Sequence, residues 1–258
     1  MLRIAVVVGV LGAGIAGIDG WPQRGPAVGR CFLAHSSMTT SPPQLEVVGT
    51  EAWLFCLNTG SAVGRLLDAP RALALTDVTV SDPGRVAFKS AELLGLGHFY
   101  RFDGTVNNGA IAGRLDYCVS KSEYVTQTWR LTGVEINPTS VSGPANDGTE
   151  RWSSYRSSPS TGDDYGIDAE IFATSLGPLG LITFYDGGPW SEYVGAPFLA
   201  KDIKRTGGEI SFRIEIAGGS KGYRLRPVSG TPRMHLFNER GEDYGELAQA
   251  PSLLNQLR

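Results

Sequence analysis

Glycine and proline punctuate this chain from end to end, leaving few stretches long enough for a helix. The 258 residues include 34 glycines and 15 prolines. They are spread along the sequence rather than gathered in one linker, so a helix meets a breaker within a few turns almost anywhere. Between these breakers lie short runs that alternate apolar and polar residues with a period of two and are rich in β-branched and aromatic side chains, the pattern of half-buried strands. Residues 46–57, 73–81, 85–91, 99–106, 110–118, 124–136, 167–174, 181–185, 209–216, 222–228 and 233–238 read this way. Only 61–67 and the tail 244–257 read as helical. About ten strands at this spacing predict an all-β protein, an antiparallel meander barrel or a sandwich.

One hairpin is explicit. Asn107, Asn108 and Gly109 separate two alternating runs, and Asn-Gly supplies the positive φ angles that a type I′ turn demands. Phe102, Val106, Ile111 and Leu115 then share a buried face, joined by Trp129 and Leu131 from the next strand. The later segments EISFRIEI, GGSKG, YRLRPV and RMHLFNERGEDYGEL repeat the rhythm of strand, glycine turn and strand. This succession of hairpins resembles the lipocalin-like (calycin) barrels over roughly 140 residues. The resemblance is carried by hairpin style and not by a G-x-W near the first strand. It implies a closed barrel, or two lipocalin-like halves, holding an apolar small molecule.

Four stretches follow from composition. Residues 1–40 read as a signal peptide or a non-native extension. Arg3 is followed by an uncharged run from 4 to 18, and Met38, followed by Thr39, Thr40, Ser41, Pro42 and Pro43, offers an alternative start. Secretion or a periplasmic location follows if residues 1–30 are a signal peptide, a cytoplasmic one if translation starts at Met38. Residues 41–137 form a first β block. Residues 138–166, with Pro138, Pro144, Pro159 and several serines and glycines, read as a loop, lid or linker. Residues 167–258 form a second β block that closes the same barrel or makes a second small β domain. The apolar run is too short and glycine-rich for a stable membrane span in the mature chain.

Several chemistries find little support. Gly12, Gly14 and Gly17 match the spacing of a dinucleotide-binding loop. Pro22 and Pro26 nevertheless break the helix such a loop must open, and no acidic residue closes a second strand about twenty residues on. No cofactor is therefore expected. A net charge of −3 with no Lys/Arg cluster argues against nucleic acid as a partner. Cys31, Cys56 and Cys118 form no C-x-x-C pair, and His35, His98 and His235 are far apart in sequence, so no metal site is expected. In an exported protein, Cys56 with Cys118 is the favoured bridge; two buried free thiols is the other reading. No G-x-S-x-G elbow is present.

A cavity argument remains. Trp53, Phe55, Phe99, Trp129, Phe172, Phe184, Tyr185 and Trp190 are the aromatic residues expected to line a barrel interior, with Trp53, Phe99, Trp129, Phe172, Phe184 and Trp190 as ligand contacts. The same residues could simply fill a core. If the barrel is a cofactor-independent cyclase or isomerase rather than a binding protein, Asp186, Tyr185 and Glu192 are the groups that would polarise the substrate. A second reading is an exported carbohydrate-active sandwich, with Asp168 and Glu170 on one face of a strand near Trp190. A third is a structural or surface-interaction protein, with a filled core and an exposed apolar patch.

Overall fold

The alternating runs form strands, and the strands pair with their sequence neighbours. In the computed structural model the described residues are 30–40, 52–58, 63–68, 71–81, 84–92, 97–119, 124–136, 149–158, 160, 164–174, 176–185, 197–216 and 219–257. The first half contains β1 (Arg30–Thr40), β2 (Ala52–Asn58), β3 (Val63–Asp68), β4 (Arg71–Ser81), β5 (Arg85–Ser90), β6 (His98–Asn107), β7 (Ala110–Val119) and β8 (Tyr124–Ile136). The second contains β9 (Glu150–Ser153), β10 (Arg156–Ser157), β11 (Asp164–Thr174), β12 (Gly177–Tyr185), β13 (Pro197–Thr206), β14 (Glu209–Ile216), β15 (Gly219–Pro227), β16 (Arg233–Asn238), β17 (Asp243–Ala250) and the short helix α1 (Leu254–Leu257).

Every pairing is antiparallel. Strands β1 to β8 pair in order, and β8 returns to pair with β1, Leu33 opposite Val134 and Ser36 opposite Leu131, which closes an eight-stranded barrel. A second ring runs from β9 to β11 and in order to β17, which closes on β9 with Gln249 opposite Trp152. Strand β10 adds a two-residue pairing to β11. Closure removes the exposed edges that would otherwise invite aggregation.

Each ring has its own core. The first is filled by Phe32, Trp53, Phe55, Leu66, Phe88, Phe102, Leu115, Trp129 and their neighbours, the second by Ile167, Ile182, Phe184, Phe198, Phe212, Tyr223, Leu236, Leu247 and theirs. Outward positions form a third apolar cluster. Cys31, Leu33, Leu54 and Cys56 of β1 and β2 pack with Phe172, Leu181 and Leu199 of β11, β12 and β13, and with Leu253, Leu254 and Leu257 of the C-terminal segment. Where they meet, β1, β2 and β11 to β13 are thus buried on both faces, which is why residues 52–57 are buried without interruption.

The two rings repeat one design. In the third strand of each, Gly64 and Gly180 leave no room for a side chain: a Cβ on Gly64 would lie 2.5 Å from the Cys56 carbonyl oxygen, and one on Gly180 3.0 Å from the Ala200 Cβ. In the fourth strands the register shifts between Thr76 and Thr79 in β4 and between Lys201 and Lys204 in β13. The pairings on either side match Leu75 to Ala200 and Phe88 to Phe212.

The structure departs from the sequence expectations at identifiable places. Residues 61–67 are not helical: residues 63–68 are β3, with Leu66 in the barrel core and Leu67 in the seam between barrels. Most of the expected helical tail is β17, and only Leu254–Leu257 is helical. Residues 30–40, grouped by composition with a leader or extension, form the strand that closes the first barrel. Residues 150–153, inside the stretch read as loop or linker, form the strand that closes the second. Cys56 does not bridge to Cys118. It bonds Cys31, directly opposite on the neighbouring strand with Cα atoms 4.0 Å apart, while Cys118 lies buried on β7 across from Phe99. The glycine-rich motif at 12–17 lies outside the described residues.

Candidate functional site

The Asn108-Gly109 turn adopts the predicted left-handed conformations, φ 48° and 78°, and fixes the register of β6 on β7. Tyr100 therefore faces Tyr117, and Phe102 faces Leu115. Period-two alternation carries the inward series of β6 from Phe102 through Tyr100 to His98. The deeper part of the first barrel is solid: Phe88 stacks on Phe102 at 5.0 Å, and Phe55 lies 5.4 Å from Phe88 and 5.6 Å from Phe32. Toward the His98 end the packing changes character. Trp53 meets Tyr100 edge to face at 5.0 Å and Trp129 at 5.9 Å, and Tyr100 continues to Tyr117 at 5.4 Å. The His98 Nδ1 and the Tyr117 hydroxyl are 2.6 Å apart. Beside them the Ser90 Oγ accepts from the Tyr100 backbone N–H at 2.9 Å.

Trp53 is 5 % exposed, and its indole N–H is buried with no hydrogen-bond acceptor among the described residues. A buried donor without a partner forfeits about 1–3 kcal/mol, so such groups are uncommon outside sites where something else supplies the acceptor.

The expected site residues do not gather in one place. Trp53 and Trp129 meet in the first barrel. Phe99 points away from them on β6, half-buried, with the Lys89 ammonium 5.7 Å from its ring centre. Phe172 belongs to the seam between barrels, and Phe184 to the core of the second. Tyr185 is buried on the outer face of β12, where its hydroxyl donates to Asp168 at 3.1 Å. Burial, reinforced by the Asp168 carboxylate, pushes this phenol far above its ordinary range. Asp186, Trp190 and Glu192 lie outside the described residues.

Asp168 and Glu170 do share one face of β11, as the alternation predicts, but that face is sealed. Asp168, 2 % exposed, takes a two-pronged contact from Arg151, with Nη2 at 2.8 Å and Nε at 3.3 Å, and the remaining Arg151 nitrogen donates to the Pro251 carbonyl at 2.9 Å. Glu170 is fully buried, accepting hydrogen bonds from the Ser252 hydroxyl and, at 2.9 Å, from the Leu253 N–H. Burial pushes its carboxyl up to about 7, against these hydrogen bonds, which favour the charged form. This is a clamp on the C-terminal segment rather than an open groove for a sugar.

The other histidines sit on outer walls. His35 Nε2 is 3.1 Å from the Thr132 hydroxyl, with burial pushing its pKa down, and His235 lies 3.1 Å from Asp243. Among the described residues no His, Cys, Asp and Glu side chains are grouped to hold a metal ion, and no helix is long and apolar enough to cross a membrane.

Sequence reasoning missed Tyr100, Tyr117 and the part played by His98. The signal was present: once Asn108-Gly109 is taken as a two-residue turn, counting outward from it places Tyr100 opposite Tyr117 and His98 one step further along. No protein family, no curated protein and no solved structure matches this chain.

Proposed function

We propose that this protein binds a small, largely apolar molecule at the His98 end of its first barrel, against Trp53, Tyr100 and Trp129. The observation that carries the reading is the buried Trp53 N–H, a donor left without an acceptor inside an aromatic cluster. Flat aromatic walls with a few fixed polar groups are what small-molecule sites present. The His98 and Tyr117 pair favours a variant of the same reading, a cofactor-independent cyclase or isomerase, because a phenol and an imidazole in contact can hold and polarise a substrate oxygen. The Cys31–Cys56 bridge supports a protein that folds in an oxidising compartment, in line with the signal-like N-terminus. The sealed state of Asp168 and Glu170 counts against a glycosidase.

Native mass spectrometry of protein purified from its own host tests for a resident ligand. Ligand-free protein is then titrated with 1-anilinonaphthalene-8-sulfonate while tryptophan emission is followed. Saturable quenching at one probe per chain is expected, with a smaller amplitude and several-fold weaker binding in Trp53→Phe. Unsaturable binding, or identical behaviour of the variant, refutes the site.

A further inference from the structure

The repeat between the two barrels distinguishes their ends. The pairings that match Phe88 to Phe212 continue across the next strands: Phe88 faces Phe102, which faces Leu115, and Phe212 faces Tyr223, which faces Asn238. Phe102 thus corresponds to Tyr223, and Leu115 to Asn238. In the second barrel β16 stops there. The Asn238 Oδ1 accepts from the Arg240 and Glu242 backbone N–H groups, both at 3.0 Å, and its Nδ2 donates to the Glu242 carboxylate at 2.5 Å. That amide is spent on folding its own turn. In the first barrel β7 runs on beside β6, with Tyr100 facing Tyr117 and His98 facing Val119. In the second ring β15 also runs on, with Lys221 facing Ile214 where Tyr100 lies beside Ser90, but the position matching Tyr117 falls in the turn after Asn238, so the aromatic and polar group of Tyr100, Tyr117 and His98 is peculiar to the first ring.

We infer that the Tyr117 hydroxyl, oriented by His98, is the specificity-determining donor of this group, and that it selects ligands carrying a carbonyl oxygen conjugated to a flat ring system. The inference rests on the binding role proposed above and names the ligand class. With the proton on Nδ1, His98 donates to the phenol oxygen, and the hydroxyl hydrogen is turned toward a third partner. The third partner must accept, must carry a flat ring that packs on Tyr100 or on Trp53, which stand edge to face, and must tolerate a second buried donor, the Trp53 N–H. A planar aryl ketone meets all three conditions, whereas a plain hydrocarbon leaves both donors without acceptors.

The test uses a matched pair, 2-acetylnaphthalene and 2-ethylnaphthalene, titrated into the full chain by tryptophan fluorescence. The ketone is expected to bind about tenfold more tightly, consistent with one buried hydrogen bond gained. Tyr117→Phe should remove most of the ketone's advantage, leaving only the share that the Trp53 N–H supplies. His98→Phe should lose part of the preference, because the hydroxyl remains but is no longer held. An infrared measurement on the unaltered protein is independent of how the variants fold: the carbonyl stretch of the bound ketone should move to lower frequency than in hydrocarbon solvent. An unshifted carbonyl, equal affinity for the two probes, or a preference that Tyr117→Phe leaves undiminished overturns the inference while leaving the small-molecule site standing. Failure of both probes to bind overturns the site as well.

Discussion

Asp77 and Asp202 hold the same position in the two barrels. Each sits at the register shift of the fourth strand of its ring, and each has a left-handed backbone, φ 52° and 53°. Only one other described residue apart from glycine, Asn108 in the hairpin turn, shares this conformation. The extra residue of a bulge bends its strand and increases the local twist, a device by which a sheet turns the corner needed to close a small barrel. The next residue, Val78 or Ile203, is thereby returned to the inside, where it packs on the core of its own ring.

Left-handed backbone is tolerated by Asp and costless for Gly, but it costs other residues roughly 1 kcal/mol. Asp77→Gly and Asp202→Gly should therefore leave the urea midpoint unchanged or raise it slightly. Asp77→Ala and Asp202→Ala should each lower stability by about 1 kcal/mol. Equal behaviour of the alanine and glycine variants would show that the side chains, not the backbone angles, matter there.

Glu170 makes stability depend on pH in an unusual direction. Its carboxyl is held at about 7 in the folded protein against 4.5 in its ordinary state, so the folded form binds the proton more tightly. The resulting contribution, roughly 3 kcal/mol, is fully present below about pH 4.5 and is lost as pH rises toward 7. Glu170→Gln stays neutral throughout. Denaturant titrations at pH 5 and pH 8 should find the unaltered protein losing stability between the two relative to the variant, which should be the more stable of the pair at pH 8. Parallel curves would mean that Glu170 keeps its charge inside the fold.

Most of the strand content was legible because it depends on local alternation. The hairpin about Asn108-Gly109 shows this best: one dipeptide fixed a turn, a register and the facing of Phe102, Val106, Ile111 and Leu115. What alternation cannot convey is which strand closes a ring. Residues 150–153 are too short and too polar to announce a strand, and they become one because β11 and β17 each need a neighbour. Residues 30–40 sit beside a leader-like run, and their membership in the barrel is decided by β2 and β8. The candidate site was half readable. Trp53 and Trp129 stood out as large aromatic residues on predicted strands, but their meeting with Tyr100 and Tyr117 depends on closure, which brings β2 and β8 into one barrel wall with β6 and β7. Asp168 and Glu170 were placed correctly on one face, yet whether that face is open or sealed is decided by the Arg151 and Ser252 side chains, distant in sequence.

The Cys31–Cys56 bridge joins the two strands whose outer faces carry the seam between the barrels, so its loss should be felt in the seam before it is felt in either core. It spans a sequence separation of 25 residues, and closing a loop of that length in the unfolded chain is worth about 3 kcal/mol. Reduction, or the double change Cys31→Ala and Cys56→Ala, should lower the denaturation midpoint accordingly. Cys118→Ala leaves the bridge intact and should make stability no less sensitive to reducing agent than it was. Hydrogen exchange adds a spatial readout. In the reduced protein the amides of β1, β2 and the segment around Leu253 and Leu254 should exchange faster, while those of β14, β15 and β16 in the far wall of the second barrel keep their protection. Uniform loss of protection across both rings would mean that the barrels unfold as one unit and that the seam is as strong as the cores it joins.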